Sequence, residues 1–320
     1  MTDCNTNSYP LVSIIMNCFN GEKYLKEAIN SVYAQTYPNW EVVFIDNAST
    51  DKTAVIAHSY DDRIKCFRNS STISLGESRN LALKYAEGDF LAFLDCDDVW
   101  EPNKLELQIP LFIENKNIGI VTCQSGTLNL NSKVSTGDFL EKKSEYNFRD
   151  LLSNYFIIMS SSVIRRTALD ILDEWFDCSL NIAEEADLFL RLSLHWAIGR
   201  VHRVLCYYRL HENNTHRSPE VKSFPNEIDH IFLKLENAVP DFQGRYGFLK
   251  TKWLNMSYSS VLRFYWHQGD VANSYRILFK IKPQTFKAII RQIVQLFLIL
   301  FKGNGLRFYT AVGNIFRKTW

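Results

Sequence analysis

No two cysteines stand in CxxC spacing among the seven at positions 4, 18, 66, 96, 123, 178 and 206. A thiolate zinc site and a disulfide framework are therefore both unsupported, and the odd count agrees with free thiols in a reducing compartment. No long hydrophobic run exists: the longest continuous apolar stretch of the C-terminal region, "LFLILF" at 296–301, is far too short to span a bilayer, and Arg291, Gln292 and Gln295 interrupt the residues before it. The N-terminal "MTDCNTNSYPLVSIIM" has neither a basic leader nor a long apolar core, so no secretory signal is expected. A cytoplasmic setting follows, and the N-x-[ST] matches at Asn213 and Asn255 are read as accidental. Nucleotide-binding glycine motifs are missing as well. The first apolar run leads into "NCFNGE" rather than GxGxxG, and no GxxxxGK[ST] occurs, which sets aside a nicotinamide dehydrogenase and a P-loop enzyme. Internal repeats and low-complexity tracts are also absent.

What is present is an ordinary globular composition of 320 residues, 46% hydrophobic and 22% charged, with a formal net charge of +1. That near-neutral total conceals an asymmetry. Residues 280–320 hold eight Lys/Arg and no acid, leaving 28 basic against 35 acidic groups in the first 279 residues. An acidic body with a basic, apolar tail suggests a surface contact with an anionic membrane rather than with nucleic acid.

The first 100 residues alternate two periods. "LVSIIM", "WEVVFI", "IKCF" and "FLAFL" read as short buried strands. Between them, "GEKYLKEAINSVYAQT" places Leu25, Ala28, Ile29, Val32 and Tyr33 at helical spacing. "STDKTAVIAHSY" opens with three residues able to cap a helix, and "GESRNLALKYAEG" is a helix closed by Gly88. Strand–helix alternation implies an α/β fold with a parallel sheet, whose ligands bind beyond the carboxyl ends of the strands. Three such ends are polar: "NCFNG" (17–21), "DNASTD" (46–51) and "DCDD" (95–98). Beyond Trp100, "EPNKLELQIPLFIEN" reads as a helix with Pro102 in its first turn, "IGIVTC" as extended, and "IAEEADLFLRLSLHW" as a helix with Leu188, Leu192 and His195 near one face. A boundary is placed near 215–225, giving a first domain over 1–217 (halves about 10–100 and about 101–217) and a helical region over 218–320 with its basic tail at 280–320.

Asp95, Asp97 and Asp98 are too close to remain ionised cheaply without a counter-charge, and hard divalent cations favour carboxylate and phosphate oxygens. A D-x-D alone is a weak signal, equally suited to an acidic loop before a helix. In combination, "VSIIMNCFNGEKYL", "SVYAQTYPNWEVVFIDNASTDKT" and "GESRNLALKYAEGDFLAFLDCDDVWEPNKLE" resemble, in order and spacing, the inverting family 2 glycosyltransferases of the GT-A fold, over roughly residues 10–215. The resemblance implies a mixed sheet flanked by helices, here with a C-terminal helical extension. It further implies transfer of a sugar from a nucleotide-diphosphate donor, UDP-linked in this reading, to a hydroxyl of a lipid-linked or cell-surface glycan.

The same resemblance assigns roles. Asp95 and Asp97 hold Mn2+ or Mg2+ and the diphosphate, Asp98 lies beside them, and His211 of "YYRLHENNTH" approaches the metal or the diphosphate, with Arg209 as scaffold. Asn17, Phe19 and Asn20 match the first strand-end loop, with Phe19 where the family has Tyr. Asp46 and Asn47 match the second strand end, where an Asn at the base-reading position leaves the base identity open. Arg79 contacts phosphate and Asn80 assists. "AEEADLFLRL" resembles the family's "xEDxDLxLRL" and makes Glu185 the base that deprotonates the acceptor, in place of Asp, with Glu184 and Asp187 as competitors. A non-catalytic nucleotide-sugar or glycan-binding protein on the same fold is the alternative, supported by the Asp-to-Glu departure.

Overall fold

The structure, a computed structural model, describes residues 9–129, 132–135, 140–212, 214 and 218–282. The chain divides into two compact units, 1–212 and 213–320.

In the first unit four apolar strands form a parallel core. They are β1 (Val12–Cys18), β2 (Trp40–Asp46), β3 (Ile64–Arg68) and β4 (Phe90–Phe93). All seven residues of β2 and all four of β4 are buried, as expected of strands covered on both faces. Helices α1 (Leu25–Tyr33), α2 (Thr53–Ala57) and α3 (Leu75–Tyr85) make the crossovers. The α1 positions read from spacing behave as such: Leu25, Ala28, Ile29 and Val32 are fully buried. The α2 start is set by Asp51, whose Oδ1 accepts the Thr53 N–H at 2.9 Å.

Gly88 is not the cap of α3, which ends before Ala86. A Cβ at Gly88 would lie 2.5 Å from the Ser13 nitrogen and 2.6 Å from the Leu11 carbonyl oxygen, so glycine is required by the close approach of backbone to β1.

The sheet continues as a mixed one through β5 (Val99–Trp100), β6 (Ile118–Asn129), β7 (Ser132–Ser135), β8 (Val163–Arg165) and β9 (Ala197–Arg209). Among the described residues the order is β3-β2-β1-β4-β8-β6-β9-β5, with β7 paired to β6. β8 runs antiparallel to β4, where Leu91 faces Ile164, and this pairing turns the parallel half into a mixed sheet. Helices α4 (Lys104–Glu114), α5 (Phe148–Ser153), α6 (Arg166–Leu169) and α7 (Glu184–Ser193) complete the unit. Pro102 precedes α4 instead of sitting in its first turn, and His195 lies just past α7, whose Leu188 and Leu192 are fully buried.

Behind β5 the fully buried Trp100 donates its indole N–H to the Ser160 carbonyl at 2.7 Å, tying the chain after β4 to a short 3-10 turn at Met159–Ser161. The Lys104 ammonium lies 3.9 Å from the centre of the Trp100 ring and is fully buried. Burial pushes its pKa down to about 8, against the pull of the Cys123 and Cys206 thiols. The unfolded chain therefore binds the extra proton more readily, and stability rises as pH climbs from about 8 towards 10.5. Replacing Lys104 with Met is expected to stabilise the fold by about 2 kcal/mol at pH 7 and to flatten that pH dependence. Urea unfolding at pH 7 and pH 10 measures both.

The second unit holds α8 (Phe224–Ala238), α9 (Phe242–His267) and α10 (Val271–Leu278). Phe232 packs edge-on against Phe242 and Trp253, and Leu262 of α9 meets Leu278 of α10. Residues 283–320, most of the basic tail, fall outside the described residues, and no described helix is long and apolar enough to cross a membrane.

Candidate active site

The parallel pairing of β1 with β2 and β4 brings the three polar strand ends onto one edge of the sheet. After β1 the chain turns at Asn20, which adopts a left-handed φ of 53°. The Asn20 N–H donates to Ser49 Oγ at 2.9 Å, and its Oδ1 accepts the Thr50 N–H at 2.8 Å, so Asn20 locks the first strand-end loop to the second. Gly21 lets that loop close over two thiols, since a Cβ there would collide with Cys18 Sγ and lie 3.2 Å from Cys96 Sγ. Asn17 donates to Ser78 Oγ at 2.6 Å, joining β1 to α3. Phe19 alone among the matched loop residues presents a large apolar surface, 53% exposed.

At the second strand end both residues are committed to holding the loops. Asp46 is buried, pairs with Arg68 at 3.0 Å and accepts the Ser49 N–H at 2.9 Å. Asn47 uses both ends of its amide: Nδ2 donates to the Ile73 carbonyl, while Oδ1 accepts from Ile73 N–H and from Asn69 Nδ2. The sequence marks these two for the donor, and the structure shows them shaping the wall with segment 69–73.

The third strand end divides the aspartates. Asp95 is partly exposed and pairs with Arg79 Nη2 at 3.0 Å, while its own N–H donates to Ser160 Oγ at 3.1 Å. The Asp97 Oδ2 lies 2.7 Å from His211 Nε2 at the far end of β9. Burial and the neighbouring Asp95 charge raise the Asp97 pKa above the usual carboxylate range. Asp98 does not join the other two. It is fully buried and accepts the Arg209 N–H at 2.9 Å, and burial together with its neighbours' charge pushes its pKa well up. A tight turn, Asp98 N–H to Asp95 carbonyl at 3.1 Å, replaces the extended backbone that would have aligned Asp95 with Asp97.

Helix α7 carries three acids in its first turn, where the helix dipole favours them. Their environments differ. Asp187 is fully buried and bound by Arg191 one turn later, which in turn donates to the carbonyls of Glu174 and Trp175; Asp187 therefore anchors that loop. Glu184 is buried against Arg79 Nη1 at 2.7 Å. Glu185 is partly exposed and accepts the Met159 N–H at 3.1 Å. Burial, then the Glu184 charge, push the Glu185 pKa up to about 8.

Arg79 thus bridges Asp95 at the end of β4 and Glu184 at the start of α7, with Phe176 under its guanidinium. Asn80 exchanges two hydrogen bonds with the Phe176 backbone, so it positions the loop beneath Arg79 instead of reaching outward. Sequence reading missed Ser160 and Met159, which hold Asp95 and Glu185 from a 3-10 turn in the "MSSS" segment, where no pattern marks them.

The donor set at the edge is one imidazole and two carboxylates, one of them already paired with an arginine. Among the described residues no group of three or more His, Cys, Asp or Glu converges as a cage. Mg2+ and Mn2+ usually take only one or two carboxylates and complete their sphere with phosphate and water. The Asp97–His211 pair beside Asp95, with like charges raising the Asp97 pKa, fits that kind of site.

Comparison with known proteins identifies the family from sequence and the fold from structure. The family model described as glycosyl transferase family 2 matches residues 13–172. The chain is 39% identical over 186 residues to the Escherichia coli UDP-Glc:alpha-D-GlcNAc-diphosphoundecaprenol beta-1,3-glucosyltransferase WfgD, covering 58% of this chain and 69% of that protein. Its fold is similar to that of S. aureus TarS 1–349 in complex with UDP-GlcNAc, with a TM-score of 0.66 at 21% identity over 92% of this chain and 93% of that one. It is also similar to the mannosyltransferase PcManGT from Pyrobaculum calidifontis in complex with GDP-Man and Mn2+, with a TM-score of 0.60 at 16% identity over 93% and 82%.

Proposed function

The chain belongs to glycosyl transferase family 2, with a GT-A fold, and from that premise we propose that it is an inverting, divalent-metal-dependent enzyme. It transfers a sugar from a UDP-linked donor to a hydroxyl of a lipid-linked or cell-surface glycan. The observation that supports this reading is the Asp95–Arg79–Glu184 bridge, which brings the acidic end of β4 close to the first turn of α7, where Glu185 stands. WfgD, by its name, uses UDP-Glc and a diphosphoundecaprenol-linked acceptor, which supports the donor and acceptor classes. PcManGT, solved in complex with GDP-Man and Mn2+, supports the metal.

In this reading the exposed Phe19 face supports the base, and Asn17, Asn20, Asp46 and Asn47 hold the loops that frame it. Asp97, His211 and Asp95 would hold a divalent cation, which would supply stabilisation of charge on the departing diphosphate. Arg79 donates to the donor phosphates from its buried seat. Glu185 takes the acceptor proton as the anomeric carbon is attacked. Asp98 and Asp187 keep the turn and the loop in place. Residues 280–320, with eight Lys/Arg and no acid, give a peripheral contact with the cytoplasmic face of the membrane, where a lipid-linked acceptor resides.

The test is release of nucleoside diphosphate from a panel of nucleotide sugars, with lipid-linked acceptors and with Mn2+ or EDTA. Acceptor-dependent release from one UDP-sugar, lost in EDTA, is the expected result. Metal-dependent donor binding without release would leave a binding protein, and no donor binding would overturn the strand-end site.

A further inference from the structure

Arg209 stands two residues before His211 and makes more contacts with the metal edge than any motif suggests. Its Nε donates to the Asp97 carbonyl at 2.7 Å, and its own backbone N–H donates to the buried Asp98 carboxylate at 2.9 Å. One residue at the end of β9 therefore grips both 97 and 98, the turn that presents the Asp97 carboxylate. Its Nη2 pairs at 2.6 Å with Glu27 Oε2, from the first turn of α1 and 182 positions away in sequence. The guanidinium lies 4.6 Å from the centre of the Tyr24 ring, which also meets His211 at 5.3 Å between centroids and the Lys23 ammonium at 4.9 Å. Tyr24 is thus placed between the cation that holds Asp97 and the imidazole that touches Asp97.

We propose that Glu27, Tyr24 and Arg209 form a brace that sets the geometry of the Asp97–His211 pair for cation binding, with Glu27 as its positioning residue; this rests on the metal-dependent reading above. The ordinary explanation of Glu27, an acid favourable to the α1 dipole, does not require its carboxylate to meet a buried arginine on a distant strand. Arg209 is 6% exposed, and a guanidinium so placed needs its counter-charge. Glu27→Gln removes the ion pair that fixes the guanidinium where it meets both the Asp97 carbonyl and the ring it shares with His211. Groups that orient metal ligands typically contribute 10- to 100-fold to metal affinity. The Glu27 side chain is 55% exposed, so its replacement leaves no cavity.

Binding of Mn2+ to the full chain in the presence of UDP, followed by the loss of the free-ion EPR signal, tests the brace. Glu27→Gln is expected to weaken Mn2+ about tenfold, while UDP affinity without metal stays close to wild type and shows the nucleotide site still folded. In turnover, the Mn2+ concentration for half-maximal rate rises by more than kcat falls. Glu27→Asp recovers part of the affinity. Arg209→Lys keeps a cation but loses the planar fork, and it shows the same weakening. Glu114→Gln, an exposed acid elsewhere, controls for net charge. Wild-type affinity in Glu27→Gln would overturn the brace. Wild-type protein that binds no Mn2+ would overturn the metal reading, and the brace with it.

Discussion

Glu185→Gln is expected to lower kcat about 10^3-fold, as measured by nucleoside diphosphate release at saturating donor and acceptor. The substitution keeps the shape and the ability to accept the Met159 N–H but removes the only function assigned to the group, taking a proton. Because burial and Glu184 push its pKa up to about 8, Glu185 is largely protonated at neutral pH in the free enzyme. A base works only when ionised, so kcat/KM of the wild type should rise with pH through about 8 and level above it. Glu184→Gln removes the like charge and should move that limb to lower pH. Stability must run the other way. The folded chain holds a proton that the unfolded chain releases near 4.5, so stability is lost as pH rises from 4.5 to about 8. Glu185→Gln should therefore be more stable than wild type at pH 8, by on the order of 3 kcal/mol, and equal to it below pH 4.5. An inactive variant that gains stability is the signature of a carboxylate kept for chemistry.

Arg79→Met is expected to destabilise the fold by about 3–5 kcal/mol, since it leaves Glu184 buried without its cation and Asp95 without its partner. Arg79→Lys should recover little, because one ammonium cannot reproduce the fork that spans two carboxylates. Adding Glu184→Gln to Arg79→Met should restore part of the loss, as expected for residues in direct contact. Urea midpoints at constant m separate these effects from partial unfolding. Any Arg79 variant that folds should also show a raised KM for the donor.

The fold was legible where one physical signal dominated. The buried strands β1, β2 and β4, of which only β1 has a partly exposed residue, appear as continuous apolar runs, and α1 as a clear 3.6-residue period. The short antiparallel strands were not legible: β8 contributes three residues and β5 two, and their pairing depends on partners far away in sequence. Gly88 shows the same limit, since only the fold reveals that β1 backbone crosses where a side chain would be. At the site, motif order picked out Asp95, Asp97, Arg79, Glu185 and His211, and the structure gathers them at the strand ends and the start of α7. Motif order could not say which acids face inward. Asp98 and Asp187 belong to the same short segments as the exposed acids, yet both are spent on Arg209 and Arg191. Nor could it find Glu27, whose partner lies 182 residues away.

The claim that joins these parts is that the acceptor, deprotonated at Glu185, attacks the donor in a single displacement. The most direct measurement is the anomeric configuration of the product, read by 1H NMR from the coupling of its anomeric proton. With an α-linked UDP-sugar the account predicts a β-glycoside. An α-glycoside would contradict it, because retention requires a second displacement or a front-face route in which Glu185 is not the base.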